Sequence, residues 1–345
     1  MQKNLGAIID SIEDGIFLLD GNSKVIFENK AGRKIFRAST EGKDIRELLP
    51  STRLKKAIEL LSEEEDATPE DFRITFYKSH LGEDARLYGK GREQVFNIRI
   101  RNTEDREMLL TLKNVTKEER LNMIRQDFIA NASHELKTPL TAIVGFSETI
   151  KDEKLSPEEL KFFANIIHKN STHMEHILTD LLLLTNLDRS EILPTMEKIS
   201  IRRILSEVTS YTLYKAQSKN IAIEIETTDT EIICNESLIV QALTNLVINA
   251  INYSPENSKV KIRTYEKEDR LYVSVKDEGC GIDPVDQVRI FERFYRVDKA
   301  RSRASGGTGL GLSIVRHIAI LHNGTITVTS ELGKGSEFIL RLPKK

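Results

Sequence analysis

The sequence predicts a multidomain α+β protein made of three successive segments, residues 1–115, 116–192 and 195–345. A chain of 345 residues is long enough for two or three domains. Short alternating apolar runs in the first segment predict strands, and apolar residues at three-and-four spacing in the second predict long helices. Strands interleaved with helices in the third segment predict an α/β sandwich.

Composition narrows the kinds of partner to expect. Charged residues make up 30% of the chain and the net charge is −2, so neither nucleic acid nor an anionic membrane surface is expected to bind it. Two cysteines are too few for a disulfide framework, and no secretory signal pattern is present. The longest apolar run, residues 177–187, is too short to span a bilayer. We expect a cytoplasmic location, either for the whole protein or for the cytoplasmic portion of a membrane-anchored receptor.

The first segment reads as a small α/β domain. Its apolar strands are expected around residues 15–20, 24–28, 72–77, 95–100 and 108–112. The stretch DGIFLLDGNSKVIFENKAGRKIF, residues 14–36, is similar to the opening of PAS sensory domains, which implies a five-stranded sheet with helices over one face. No cofactor pattern appears in this PAS-like segment, so its ligand is unknown or none.

The second segment predicts a helical hairpin. In its first helix, expected from near Val115 to Ile150, the apolar stripe consists of Leu121, Ile124, Phe128, Ala132, Leu136, Leu140 and Ile143. At about 100° per residue, His134 projects opposite this stripe, where a neutral imidazole can act as a nucleophile. Ser156-Pro157-Glu158-Glu159 marks the start of the second helix. Two such helices bury little apolar surface alone, so a homodimer forming a four-helix bundle is expected.

The residues around this histidine carry a family resemblance. NASHELKTPLTAI, residues 131–143, resembles the phosphoacceptor box of sensor histidine kinases. In that family the histidine takes the γ-phosphoryl group of ATP and passes it to an aspartate of a response regulator. The resemblance implies that His134 is the acceptor, that Glu135 is its hydrogen-bonding partner and base, and that Thr138 positions water for dephosphorylation of the receiver domain.

The third segment contains motifs in the order of the ATP-binding fold shared by histidine kinases, DNA gyrase, Hsp90 and MutL. These motifs are NLVINA at 245–250, DEGCG at 277–281, FERFYR at 291–296, GGTGLGL at 306–312 and GKGS at 333–336. Asn245 and Asn249 lie one helical turn apart, so both amides face the same side. The glycine-rich run before a helix supplies bare amides for a phosphate chain.

The resemblance implies ATP and Mg²⁺ as cofactors and assigns individual roles. By family position Asn249 is the magnesium ligand, Asp277 accepts from the adenine amino group, and Arg296 contacts the γ-phosphate. The other implied nucleotide-binding residues are Asn245, Tyr253, Gly279, Gly281, Phe291, Gly307, Thr308, Gly309, Leu310, Gly311, Leu312 and Gly335.

Two departures and two alternatives accompany this interpretation. Asn252 stands where the family often has a Lys or Arg that touches phosphate, which points to weaker nucleotide binding or to another basic residue in that role. Cys280, in the adenine loop, is expected to be a small packed side chain. A gyrase-type or Hsp90-type ATPase is one alternative, although Asn245 stands where those enzymes place a water-activating glutamate. A non-catalytic signalling scaffold is the other.

Overall fold

The computed structural model describes residues 2–63, 70–77, 93–103, 107–152, 154–188, 195–297 and 307–344. It divides into two compact units, Met1–Asp127 and Phe128–Lys345. None of the helices in the described part of the chain contains an apolar stretch long enough to cross a membrane.

The N-terminal unit is built on one five-stranded antiparallel sheet with the order β2-β1-β5-β4-β3. Its elements are α1 (Gln2–Ser11), β1 (Gly15–Leu19), β2 (Val25–Glu28), α2 (Lys30–Phe36), α3 (Ile45–Leu48), α4 (Thr52–Glu63), β3 (Glu70–Tyr77), β4 (Glu93–Asn102) and β5 (Met108–Asn114). The five expected strands are present, whereas helices α3 and α4 were not anticipated. The PAS identity of this unit stays a prediction.

Asn29 organises the start of this unit. Its side chain is fully buried, and its Oδ1 accepts hydrogen bonds from the backbone N–H groups of Ile16, at 3.0 Å, and of Gly32, at 2.8 Å. Its amide nitrogen donates to the carbonyls of Ile9 and Asp14. One buried side chain thus caps α2 and ties it to α1 and β1, which satisfies backbone groups that would otherwise be unpaired.

The C-terminal unit begins within α5 (Thr116–Asp152), which forms a hairpin with α6 (Pro157–Asp188). The rings of Phe146 and Phe163 stack across the two helices at 5.5 Å. At the start of α6, Ser156 N–H donates to Glu159 Oε2 and Glu159 N–H donates to Ser156 Oγ. This reciprocal pair is the capping box that the sequence predicts, and the expected hairpin is confirmed.

The rest of this unit is the expected α/β sandwich. Its elements are β6 (Glu197–Ser200), α7 (Ile201–Ser218), β7 (Ala222–Glu226), β8 (Glu231–Cys234), α8 (Glu236–Tyr253), β9 (Lys259–Lys267), β10 (Arg270–Lys276), α9 (Pro284–Gln287), α10 (Gly311–Leu321), β11 (Thr325–Glu331) and β12 (Gly335–Pro343). The main sheet has the order β11-β12-β10-β9-β7, with β7 parallel to β9, and β6 pairs with β8 separately. Leu271, Val273 and Val275 alternate along β10 into one core shared with α7, α8 and α10.

Candidate functional site

A cavity of 560 Å³ lies in the C-terminal unit between α8, the loop after β10 and the N-terminus of α10. The residues of its wall that the sequence predicted for the site are Asn245, Asn249, Tyr253, Asp277, Gly281, Arg296, Gly307, Thr308, Gly309, Gly311 and Leu312. Apolar side chains such as Ile248 and Phe338 form other parts of the wall. A concave, largely apolar space with a few convergent polar groups is the usual form of a small-molecule site.

Asp277 is the buried carboxylate of this cavity. It follows the last residue of β10, and only 4% of its surface is exposed. Its Oδ1 accepts from the backbone N–H groups of Gly279, at 2.8 Å, and of Ser336, at 3.1 Å. Burial raises the pKa of this carboxyl above its ordinary value, and the two backbone hydrogen bonds oppose the shift. Both hydrogen bonds that the Asp277 side chain accepts from described residues end on Oδ1. Its other oxygen, Oδ2, is therefore the one that can accept from a ligand.

Three glycines hold the carboxylate in this position. A Cβ atom at Gly335 would lie 2.1 Å from the Asp277 carbonyl oxygen, and one at Gly279 would lie 2.7 Å from the Tyr253 carbonyl oxygen. At Gly281, whose φ is +73°, a Cβ atom would lie 2.1 Å from the Glu331 carbonyl oxygen. Any larger residue at these positions would force apart the backbone segments that meet here.

The N-terminus of α10 forms another part of the cavity wall. Gly309 has a φ of +74°, and its carbonyl accepts from the Phe294 N–H at 2.9 Å. Thr308 Oγ1 accepts from the Leu310 N–H at 3.2 Å. The first N–H groups of a helix have no intrahelical partner and carry the positive end of its dipole, so this end of α10 suits an anionic group.

Two amides of α8 also belong to the cavity wall. Asn245 and Asn249 both line the cavity, one helical turn apart as predicted. Asn245 Nδ2 donates to the Gly311 carbonyl at 3.4 Å, which connects α8 to the start of α10. Asn249 lines the same wall, and a carboxamide oxygen is a suitable ligand for a hard cation.

The predicted phosphoacceptor segment lies outside the cavity wall, on α5. His134 and Thr138 are exposed, as the helical phase predicts. The hydroxyl of Thr138 donates to the His134 carbonyl at 3.2 Å. The Glu135 side chain is 23% exposed, so it is largely covered by its surroundings.

Arg296 connects the cavity with this segment. Its side chain lines the cavity, is 6% exposed, and places Nη1 3.4 Å from Glu135 Oε2. Its Nε and Nη2 atoms are buried and have no hydrogen-bond partner among the described residues. Nearby, the Phe294 ring packs on the Phe128 ring at 5.8 Å, so the segment that carries Arg296 contacts the hairpin by apolar packing as well.

Comparison with known proteins identifies two domains in this chain. Residues 124–190 match the family model of the His Kinase A (phospho-acceptor) domain, and residues 234–345 match that of the histidine kinase-, DNA gyrase B- and HSP90-like ATPases. The phosphate regulon sensor protein PhoR of Pseudomonas aeruginosa is 31% identical over 348 residues, which cover 97% of this chain and 74% of PhoR. The chain belongs to the sensor histidine kinases.

Two further similarities bear on this histidine kinase. The sensor-like histidine kinase SenX3 of Mycolicibacterium smegmatis is 38% identical over 249 residues, 72% of this chain and 65% of SenX3. The chain thus spans less than two thirds of the length of that relative. The solved histidine kinase ThkA, in complex with response regulator protein TrrA, covers 98% of both chains with a TM-score of 0.53 at 24% identity, a likeness that concerns the fold alone. Within the third segment, residues 234–345 form the domain that the family shares with the DNA gyrase B- and HSP90-like ATPases.

Four of the residues predicted to bind nucleotide do not line the cavity of this kinase. Gly279 and Gly335 pack closely against Asp277. Leu310 is fully buried in the core, and Phe291 packs edge-on against the cavity residue Phe338 with ring centres 6.4 Å apart. These four residues support the wall rather than form it.

Other residues of the wall were not anticipated. His176, Thr179 and Asp180 enter it from the hairpin helix α6, and Lys215 enters it from α7. A carboxylate within the apolar run of residues 177–187 is the signal that could have identified Asp180. Burial raises the pKa of Asp180, and the hydrogen bond it accepts from the Thr308 hydroxyl at 2.8 Å opposes this shift.

The exposure of Cys280 differs from the prediction. It was expected to be packed, but it is exposed and lines the cavity. The reason is the course of the loop, because the flanking Gly279 and Gly281 pack against neighbouring backbone on both sides and leave the side chain between them at the cavity surface.

Proposed function

We propose that this sensor histidine kinase binds ATP·Mg²⁺ in the cavity, phosphorylates His134 and transfers the phosphoryl group to an aspartate of a response regulator receiver domain. One observation carries this proposal. Arg296 lines the nucleotide cavity and at the same time contacts Glu135, the neighbour of His134. The domain limits that accompany the proposal are 1–115, 116–192 and 195–345.

The cavity wall offers suitable groups for each part of the nucleotide. Asp277 Oδ2 can accept from the adenine amino group, and the N-terminus of α10 can bind the phosphate chain. Asn249 is the proposed magnesium ligand, and the ion would neutralise charge on the phosphates. The Nε and Nη2 atoms of Arg296, which have no partner among the described residues, support a phosphate beside this side chain, because buried N–H groups without acceptors are costly and phosphate oxygens would satisfy them.

The transfer to His134 forms one bond to the γ-phosphorus and breaks another. A ring nitrogen of His134 attacks the γ-phosphorus, a nitrogen–phosphorus bond forms, the bond to the β,γ-bridging oxygen breaks, and ADP leaves. Glu135 hydrogen-bonds the other ring nitrogen and accepts the proton that becomes acidic as the ring is phosphorylated. Binding of γ-phosphate by Arg296 would release Glu135 from its present ion pair for this task.

Two protein partners are part of the proposal. A second copy of the chain would cover exposed apolar side chains of the hairpin, among them Leu140, Val144, Leu160, Leu178 and Leu182. The exposed position of His134 would then admit a receiver domain after phosphorylation. In the same proposal Thr138 positions the water that dephosphorylates that receiver domain, which would make the kinase a phosphatase as well. The N-terminal sheet domain is proposed as a PAS-like sensory module.

Incubation with γ-labelled ATP tests the proposal. Acid-labile label on the protein, lost in His134→Gln and retained in His168→Gln, is the expected result. His168 is a matched control because it is an exposed histidine on the other helix of the hairpin. Free phosphate without labelled protein would instead favour a gyrase-type or Hsp90-type ATPase. Nucleotide bound without label or hydrolysis would favour a signalling scaffold.

A further inference from the structure

Lys215 is a basic residue of the cavity wall with no assigned role. It lies on α7, is partly buried, and lines the cavity together with Asn249 and Asn252. Asn252 occupies the position in which related kinases often carry a phosphate-binding cation. A cation that reaches the same space from another helix can perform the same task.

The pairing of α7 with α8 determines which turn of α8 lies beside Lys215. The two helices run side by side with a constant offset, because Arg203 bonds Glu236 near their starts and Lys219 Nζ bonds the Asn252 carbonyl near their ends, each pair 33 residues apart in sequence. Lys215 lies one helical turn before Lys219, on the same face of α7. It is therefore level with the turn of α8 that presents Asn249 to the cavity.

Lys215 also lacks a counter-charge in the described part of the chain. It forms no ion pair with a described residue, and Lys219 acts on it as a like charge. Lys219 itself is committed elsewhere, because its ammonium donates to the carbonyls of Ile251, Asn252 and Ser254 at the end of α8. Burial lowers the pKa of Lys215, and Lys219 acts in the same direction. An anion beside Lys215 would offset both effects.

We propose that Lys215 is a phosphate ligand of the bound nucleotide, with its ammonium donating to phosphate oxygens beside Asn249 and replacing the cation that Asn252 cannot supply. This assignment rests on the proposed nucleotide site and names one more of its binding residues. A flexible ammonium suits the role, since it binds phosphate as a point charge and needs no fixed geometry.

Titration of the full chain with ATP, ADP and adenosine tests the assignment. Lys215→Met retains the apolar stem and removes the charge, so ATP and ADP should bind roughly ten-fold more weakly while adenosine changes by less than about two-fold. Arg202→Met is the matched control, because Arg202 is an exposed cation on the same helix, 3.9 Å from Asp229, and should leave all three affinities unchanged.

A second variant distinguishes a phosphate contact from a structural role. Combining Lys215→Met with Asn252→Lys returns an ammonium to the cavity from α8, and ATP affinity should recover most of its loss. Equal ATP affinity in the wild type and in Lys215→Met overturns the assignment, as does a loss that is the same for adenosine as for ATP. A wild-type chain that does not bind ATP overturns the proposed function itself, and that outcome is visible before any variant is compared.

Discussion

The proposed phosphoacceptor segment and the proposed nucleotide cavity are built in opposite ways. His134, Glu135 and Thr138 lie within five residues of one helix, and the histidine is exposed. The cavity instead combines residues distant in sequence, from α6 to β12, around the buried Asp277. The difference matches what each part must do. A group that meets first a nucleotide and then a receiver domain must be accessible, whereas selective binding of one ligand needs fixed, desolvated polar groups.

The largest effect is expected for Asp277, the buried carboxylate of the cavity. Asp277→Asn should weaken ATP binding by roughly a hundred-fold, because the lost acceptor leaves the adenine amino group unpaired and the new amide can present hydrogens to it. Titration with ATP measures this effect. Asp283→Asn is the control, since Asp283 caps α9 through the Val285 N–H and an asparagine caps equally well. Unchanged binding in Asp277→Asn would remove Asp277 from the site.

Lowering the pH should have opposite effects on the contribution of Asp277 to folding stability and on ATP binding. Its pKa is raised, so the protonated form is favoured in the folded state, and its contribution to stability is present at low pH and lost as the pH rises through the raised value. The proposed nucleotide binding instead requires the ionised form as acceptor. Acidification should therefore weaken ATP binding at a pH above the ordinary aspartate value of 3.8, without a loss of folding stability from this group. Paired titrations and thermal unfolding across this range measure the two effects.

The next largest effect concerns the residue that joins the two parts. Arg296→Gln should slow phosphorylation of His134 about twenty-fold, because the γ-phosphate loses a charged donor, and should change ADP affinity much less. Single-turnover labelling measures the rate. Arg316→Gln, an exposed arginine of α10, should behave like the wild type. If ADP affinity falls as far as the rate, Arg296 binds the nucleotide generally and does not act on the γ-phosphate.

A smaller effect is expected on the exposed side. Thr138→Ala should leave phosphorylation of His134 intact and lower dephosphorylation of the receiver domain by about ten-fold, because water at the aspartyl phosphate loses its orienting hydroxyl. Thr141→Ala is a close control, since both hydroxyls donate to the carbonyl four residues earlier. Timed assays of both reactions measure the result, and equal loss of both activities would contradict the role.

The same comparison explains what sequence alone could predict. Features set by local pattern are found where expected, including α6 with its Ser156 cap and the exposure of His134. The pairing of β6 with β8 was missed, since each strand has four residues and its partner lies far along the chain. The entry of Asp180 and Lys215 into the cavity depends on how whole helices pack, and helical periodicity reports only the face on which a residue lies.

The smallest predicted effect concerns one of these unanticipated residues. Asp180 places a carboxylate in the cavity wall, where it accepts a hydrogen bond from Thr308. Asp180→Asn keeps an acceptor for that hydroxyl and removes a negative charge near the phosphates, so ATP should bind about three-fold more tightly while adenosine is unaffected.

A control variant and the pH dependence both test the effect of Asp180→Asn on ATP binding. Glu175→Gln removes an exposed carboxylate from the same helix and should change neither affinity. Because burial raises the pKa of Asp180, its contribution to stability is present when the carboxyl is protonated and is lost as the pH rises through that raised value. The advantage of Asp180→Asn in ATP titrations should therefore grow from acid toward neutral pH. Weaker ATP binding by the variant at neutral pH would mean that the ionised carboxylate supports the nucleotide, for instance by orienting Thr308, and that hydrogen bonding outweighs charge at this wall.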